Sequence, residues 1–250
     1  MNPQGTNVGS VTLTLYEVPA DVTGTLVPGS PLAVAMSTPG QNAVPTFAGT
    51  AGQRVFVKVS EISTSGGNGY MDLYLKKPDG TTLASQSYIS SNSYIDVQVL
   101  PVSGTYTVLL TPQSSTTGSA NLTLYNVPDD ATTTTVIDGS AVGIGTTIPG
   151  QMARVTFEGT QGQQAYVRIT SNTMSQVTVK LLKPDGTVLT SYNAFLATNF
   201  NLSIQTLPTT GTYTVTIDPA GAITGSMNVR VTSTVAWLNS PLDWLTSFFT

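Results

Sequence analysis

Apolar and polar residues alternate along most of this chain with a period of two. Val55, Val57 and Val59 share one side of a segment whose other side carries Phe56 and Lys58, and Ala165, Val167 and Ile169 likewise stand opposite Tyr166 and Arg168. Met71, Leu73 and Leu75 oppose Asp72 and Tyr74; Val177, Val179 and Leu181 oppose Thr178 and Lys180. Successive side chains of an extended strand leave opposite faces, so the pattern predicts short half-buried β-strands with the aliphatic rows inward. It also turns Phe56, Tyr74 and Tyr166 outward. Pro78-Asp79-Gly80 and Pro184-Asp185-Gly186 each follow one of these strands. Proline presets φ, Asp bonds its own backbone and Gly accepts positive φ, so each tripeptide predicts a hairpin turn. Many short strands without long helical windows predict an all-β fold of antiparallel jelly-roll β-sandwiches.

The strands recur in order. Gly9-Ser10-Val11-Thr12-Leu13-Thr14-Leu15-Tyr16-Glu17-Val18-Pro19 returns as Gly118-Ser119-Ala120-Asn121-Leu122-Thr123-Leu124-Tyr125-Asn126-Val127-Pro128, then as Gly225-Ser226-Met227-Asn228-Val229-Arg230-Val231. Phe47-Ala48-Gly49-Thr50-Ala51-Gly52-Gln53 matches Phe157-Glu158-Gly159-Thr160-Gln161-Gly162-Gln163, and Gly104-Thr105-Tyr106-Thr107-Val108 matches Gly211-Thr212-Tyr213-Thr214-Val215. The expected layout is two tandem sandwiches, residues 20–127 and 128–233. Residues 1–19 precede them as an orphan copy of the final strand, and residues 234–250 follow as an aromatic tail. Three final strands accompany two module bodies, so one strand is surplus.

Composition narrows the function. Charged residues make up 9% of the 250, with 23 Gly, 15 Pro and no Cys or His. Without His or Cys, a Ser-His-Asp triad, a Cys nucleophile and nearly all zinc chemistry are excluded. A net charge of −4 with nine Lys and Arg leaves no basic stripe for nucleic acid. No apolar run reaches the length of a membrane span, and no basic segment followed by an apolar one opens the chain as a signal would. A Thr/Ser/Gly-rich surface points to an extracellular or cell-surface location, with any signal absent from this sequence.

The run Ala51-Gly52-Gln53, then Met71-Asp72-Leu73-Tyr74-Leu75, Pro78-Asp79-Gly80 and Gly104-Thr105-Tyr106 resembles the bacterial pre-peptidase C-terminal (PPC) domain. The second copy keeps the order but has Thr178 in place of Asp72. The resemblance implies a jelly-roll sandwich appended to secreted hydrolases or strung in tandem in large bacterial surface proteins, including those with RHS/YD repeats. It implies a non-catalytic role in secretion, attachment or spacing. No calcium-binding cluster of the family carries over residue by residue.

Four places hold candidate chemistry. Asp21, Asp129, Asp130 and Asp138 sit near module junctions, where calcium could bridge neighbours; the competing reading is solvated turn residues. Phe56, Tyr74 and Tyr166 could stack against polysaccharide, or pair across strands with their neighbours. In the tail, Ser240, Pro241 and Asp243 suit the start of a short helix that would present Leu242, Trp244, Leu245, Phe248 and Phe249 on one face, with Trp237 just ahead. So short a helix is marginal alone, so the tail must dock on its own module, on another subunit or on a membrane surface. Finally, Val11, Leu13 and Leu15 require a core that the chain does not supply ahead of them, so that segment orders only against an available sheet edge.

The expected function is therefore a non-catalytic extracellular spacer that assembles end to end into a fibre or stalk through the leading strand and the aromatic tail. Its partners would be itself or neighbouring repeats. The alternative is a polysaccharide- or matrix-binding accessory of a secreted hydrolase. A hydrolase using Ser, Lys and carboxylates is disfavoured, because an active site should break the repeat, and the copies differ mainly in loop length near Ser65-Gly66-Gly67-Asn68-Gly69.

Overall fold

The computed structural model describes residues 9–234, and every regular element in that range is a β-strand. The first repeat contributes β1 (Pro31–Met36), β2 (Thr46–Gly49), β3 (Arg54–Ser65), β4 (Met71–Lys76), β5 (Thr82–Ile89), β6 (Ser93–Val99), β7 (Gly104–Pro112) and β8 (Thr117–Asn126). The second contributes β9 (Ala131–Thr134), β10 (Val142–Thr146), β11 (Ala153–Gly159), β12 (Gln164–Thr170), β13 (Gln176–Leu182), β14 (Val188–Phe195), β15 (Phe200–Asn201), β16 (Gln205–Thr206), β17 (Gly211–Pro219) and β18 (Gly225–Ser233).

Both repeats follow one sandwich plan. Sheet β2-β7-β4-β5 corresponds to β11-β17-β13-β14, and sheet β1-β8-β3-β6 to β10-β18-β12 with β15 and β16. The second repeat adds β9 in parallel beside β11. In the first, two parallel bridges, Val22 to Ala43 and Thr25 to Thr46, take that place.

The alternating rows face inward as their spacing predicts. Val55, Val57, Val59, Met71, Leu73 and Leu75 are fully buried, as are Val167, Ile169 and Val179. Each core also holds a stacked aromatic pair on partnered residues of neighbouring strands. Phe47 lies 5.5 Å from Tyr106 and Phe157 lies 5.6 Å from Tyr213. The buried phenols keep their polar ends satisfied: Tyr106 Oη donates to Val102 O and Tyr213 Oη to Thr209 O, both at 2.7 Å.

The two Pro-Asp-Gly tripeptides form the turns expected of them. Asp79 Oδ1 accepts from the Thr81 amide at 2.9 Å and its hydroxyl at 2.6 Å, and Asp185 repeats this with Thr187 at 2.8 and 2.6 Å. These bonds hold both carboxyls below the ordinary carboxylate value. Each turn packs against the glycine that opens β7 or β17. Gly104 has φ of +153°, and a Cβ there would come 2.6 Å from Pro78 Cγ; Gly211 stands likewise against Pro184.

The chain divides into two compact units. One holds Val59–Ser93, Val102–Thr123 and the described part of Met1–Gly49. The other holds Thr50–Lys58, Tyr94–Pro101 and the described part of Leu124–Thr250, so it takes one end of a first-repeat sheet together with the second repeat.

Two expectations are corrected. Phe56, placed outward by its strand's alternation, is fully buried, because other aromatic rings and a second-repeat loop cover that face. The leading segment is not a strand: residues 9–21 belong to no element and all are exposed, because no sheet edge pairs with them. The helix expected in the tail, with Trp237, Leu242, Trp244, Leu245, Phe248 and Phe249, lies outside the described residues. Among the described residues, no helix is long and apolar enough to cross a membrane.

Candidate functional site

Three segments share one sequence pattern, and two of them show what the pattern is for. β8 runs between β1 and β3, pairing Leu32 with Leu122 and Val34 with Ala120. β18 runs between β10 and β12, where Val229 faces Val142 on one side and Ile169 on the other. Both are interior strands, with hydrogen-bonded neighbours on each edge. Their inward residues, Ala120, Leu122 and Leu124 or Met227, Val229 and Val231, are all buried. The matching residues of the leading segment, Val11, Leu13 and Leu15, are 59%, 81% and 97% exposed. Tyr16 and Val18 beside them are exposed as well.

A second site lies at one end of each repeat, where β3 or β12 offers an aromatic ring on its outer face. In the first repeat Phe56 stacks on Tyr94 at 5.3 Å and meets Tyr125 edge-on at 6.3 Å. In the second repeat Tyr166, at the matching position of β12, is half-buried and borders an open cleft of about 870 Å³. Tyr192 on β14 forms another wall and stacks on Phe200 at 4.9 Å. Leu202 and Ile204 add apolar surface; Ser191, Ser203 and Thr232 add hydroxyls; among the described residues no charged side chain lines the cleft. Tyr74 is half-buried on β4. The three rings expected to form a platform thus differ in exposure, and Phe56 offers no open face.

Of the four residues expected at a metal site, Asp21, Asp130 and Asp138 use their carboxylates in other bonds. Asp21 Oδ1 accepts from the Asn42 amide at 3.0 Å. Asp138 accepts from the Ser233 hydroxyl at 2.6 Å and amide at 2.9 Å, bonds that lower its pKa. Asp129 uses its carbonyl oxygen, which accepts from Gln151 at 2.9 Å. Asp130 sits between two guanidiniums, Arg54 at 3.1 Å and Arg154 at 2.8 Å, while Arg54 also donates to Pro128 O at 3.0 Å. Burial works to raise the Asp130 pKa, but the hydrogen bonds and charges of Arg154 and Arg54 outweigh it and hold the carboxyl below its ordinary value. Asp218 is raised, chiefly by burial and then by the Asp96 carboxylate. Among the described residues, no group of three or more acidic side chains is placed to hold a cation.

Sequence reasoning missed Tyr192, Ile204 and the Arg54–Asp130–Arg154 bridge. Tyr192 does sit in an alternating strand. Ile204 falls between two strands of two residues each, β15 and β16, too short to leave a periodic signal.

The fold is all-β, with two repeats of one sandwich plan. Residues 41–112, which run through β2 to β7, match the family model of the bacterial pre-peptidase C-terminal domain. No curated protein matches the chain. Solved structures similar to it include PliG of Aeromonas hydrophila, a periplasmic lysozyme inhibitor of g-type lysozyme, at 16% identity over 42% of this chain and 99% of that one, with a TM-score of 0.29. The CBM22-1–CBM22-2 tandem of Paenibacillus barcinonensis Xyn10C is similar at 7% identity over 76% and 82%, with a TM-score of 0.24. The PBSX exported protein XepA is similar at 11% over 88% and 100%, with a TM-score of 0.26. Similarity at these scores carries no argument about function.

Proposed function

We infer that this chain is a non-catalytic extracellular spacer that joins its neighbours by strand addition through residues 9–18. A single observation carries the reading: one strand sequence occurs three times, and the copy in the leading segment leaves Leu13 and Leu15 almost wholly in water. Burying an aliphatic side chain of this size contributes about 1.5–3 kcal/mol, and an extended segment gains that together with ladder hydrogen bonds by docking on a sheet edge. The acceptor is an edge strand of a sandwich sheet, in a neighbouring repeat or in another copy of the chain. The PPC match supports the non-catalytic and secreted parts of the reading.

Light scattering after size exclusion tests it. The full chain should form concentration-dependent oligomers, while a chain lacking residues 1–18 and the Leu13→Asp/Leu15→Asp variant should run as monomers with unchanged melting temperature. A full chain that stays monomeric up to its solubility limit, or oligomers that survive both changes, would overturn the proposal.

A further inference from the structure

The same face of the two repeats has different covers. In the first repeat it carries Phe56, Tyr94, Val97 and Tyr125, and second-repeat loops pack against it, with Phe56 buried and Tyr94 still 40% exposed. At Gly150, where φ is +79°, a Cβ would overlap Val97 Cγ2 and come 3.0 Å from Phe56 Cδ2. At Gly221 a Cβ would come 2.6 Å from Tyr94 Cε1. In the second repeat the equivalent positions are Tyr166, Asn201, Ile204 and Thr232. Matching hydrogen bonds establish that equivalence. The Leu100 and Leu207 amides donate to Gln53 O and Gln163 O, both at 2.8 Å, and the Val127 and Thr234 amides donate to Arg54 O and Gln164 O. Here the face is open as the cleft of about 870 Å³, with Ile204 57% exposed.

The stretch of chain that succeeds each repeat also differs. After the first repeat comes the second, which supplies the cover. After the second comes the segment 235–250, which departs from the repeat and carries Trp237, Leu242, Trp244, Leu245, Phe248 and Phe249. The described chain ends at Thr234, itself a wall of the cleft. Trp237 is three residues further on in the sequence, and three residues span about 10 Å at full extension. Because no charged side chain among the described residues lines the cleft, apolar rings can enter it without stranding an ion.

We propose that residues 237–249 occupy this cleft in the same chain, as a cap standing where the first repeat receives the second. The inference is independent of strand addition through residues 9–18, and it removes the tail from the assembly elements.

The sequence supplies its own probe, since both tryptophans of the chain, Trp237 and Trp244, lie in the tail and there is no cysteine. In the monomeric full chain, indole emission should be blue-shifted and shielded from acrylamide. Ile204→Asp should shift it to that of a solvated indole without changing far-ultraviolet dichroism, since Ile204 is exposed. In parallel, Ile204→Cys labelled with bimane should be quenched in the full chain, and the quenching should be lost in Trp237→Phe/Trp244→Phe and in residues 1–234. Solvated indole emission in the full chain, bimane intensity indifferent to the tail, or shielding seen only where dimers form would each overturn the proposal, the last by assigning the cleft to the tail of a second copy.

Discussion

Leu13 and Leu122 hold the same place in the same repeated strand, yet one is 81% exposed and the other fully buried. The difference lies entirely in what surrounds them. Leu122 has β1 and β3 on either side, while Leu13 has no sheet edge to join. Phe56 and Tyr166 repeat the lesson at the end of the sandwich, where one ring is closed over and the other borders an open cleft. The first pair is the same residue and the second an aromatic ring in both copies, so the neighbours decide most of the outcome.

These pairs can be broken in order of expected effect. Leu122→Ala should lower unfolding free energy by ~3–5 kcal/mol, and Phe56→Ala by a similar amount, as large-to-small changes in packed cores do. Leu13→Ala should leave the isolated chain within about 0.5 kcal/mol of the parent, as expected of an exposed site. Urea titration measures all three, and a large loss at Leu13 would mean that the segment is already buried in the isolated chain.

Gly150 and Gly40 sharpen the comparison next. Both have positive φ, so alanine at either should cost about 1–2 kcal/mol from backbone strain. At Gly150 the new methyl would also strike Val97 and Phe56, whereas at Gly40 the nearest atom is the exposed Val18 side chain at 3.3 Å. Gly150→Ala should therefore lower the melting temperature further than Gly40→Ala. Equal losses would show that the contact at Gly150 adds nothing.

Asp130 and Asp21 give the smallest contrast. Asp130→Asn weakens two charge-assisted hydrogen bonds and should cost ~1–2 kcal/mol near neutral pH, while Asp21→Asn should cost less than about 0.5 kcal/mol. Because folding depresses the Asp130 pKa below the ordinary carboxylate value of 3.8, its contribution is fully present above that value and fades as pH falls through the lower folded pKa. Parent and Asp130→Asn should thus differ by a constant amount from neutrality down to mildly acidic pH, then converge in stronger acid. A gap that narrows between about pH 7 and 5 would contradict the assignment.

Much of the architecture was legible along the chain. The rows Val55-Val57-Val59 and Met71-Leu73-Leu75 marked their inward faces, because a two-residue period has one physical meaning in a strand. The Pro-Asp-Gly turns were legible because Asp79 and Asp185 need only local partners, Thr81 and Thr187. Phe56 was misread, since alternation tells which side of the sheet a residue leaves but not whether that side is covered. The Asp130 bridge was invisible because Arg54 is separated from it by 76 residues of chain.

By itself the sequence determined the all-β class, the order of strands, the duplicated plan and a third copy of the final-strand sequence. These rest on local periodicity, turn chemistry and repetition, which act between residues close in the chain. Only the tertiary structure decided that Phe56 is closed over while the Tyr166 cleft stands open, that Asp130 holds two arginines, and that Leu13 and Leu15 remain in water. Burial and charge pairing depend on which distant segments arrive at a surface, a property that no local pattern encodes.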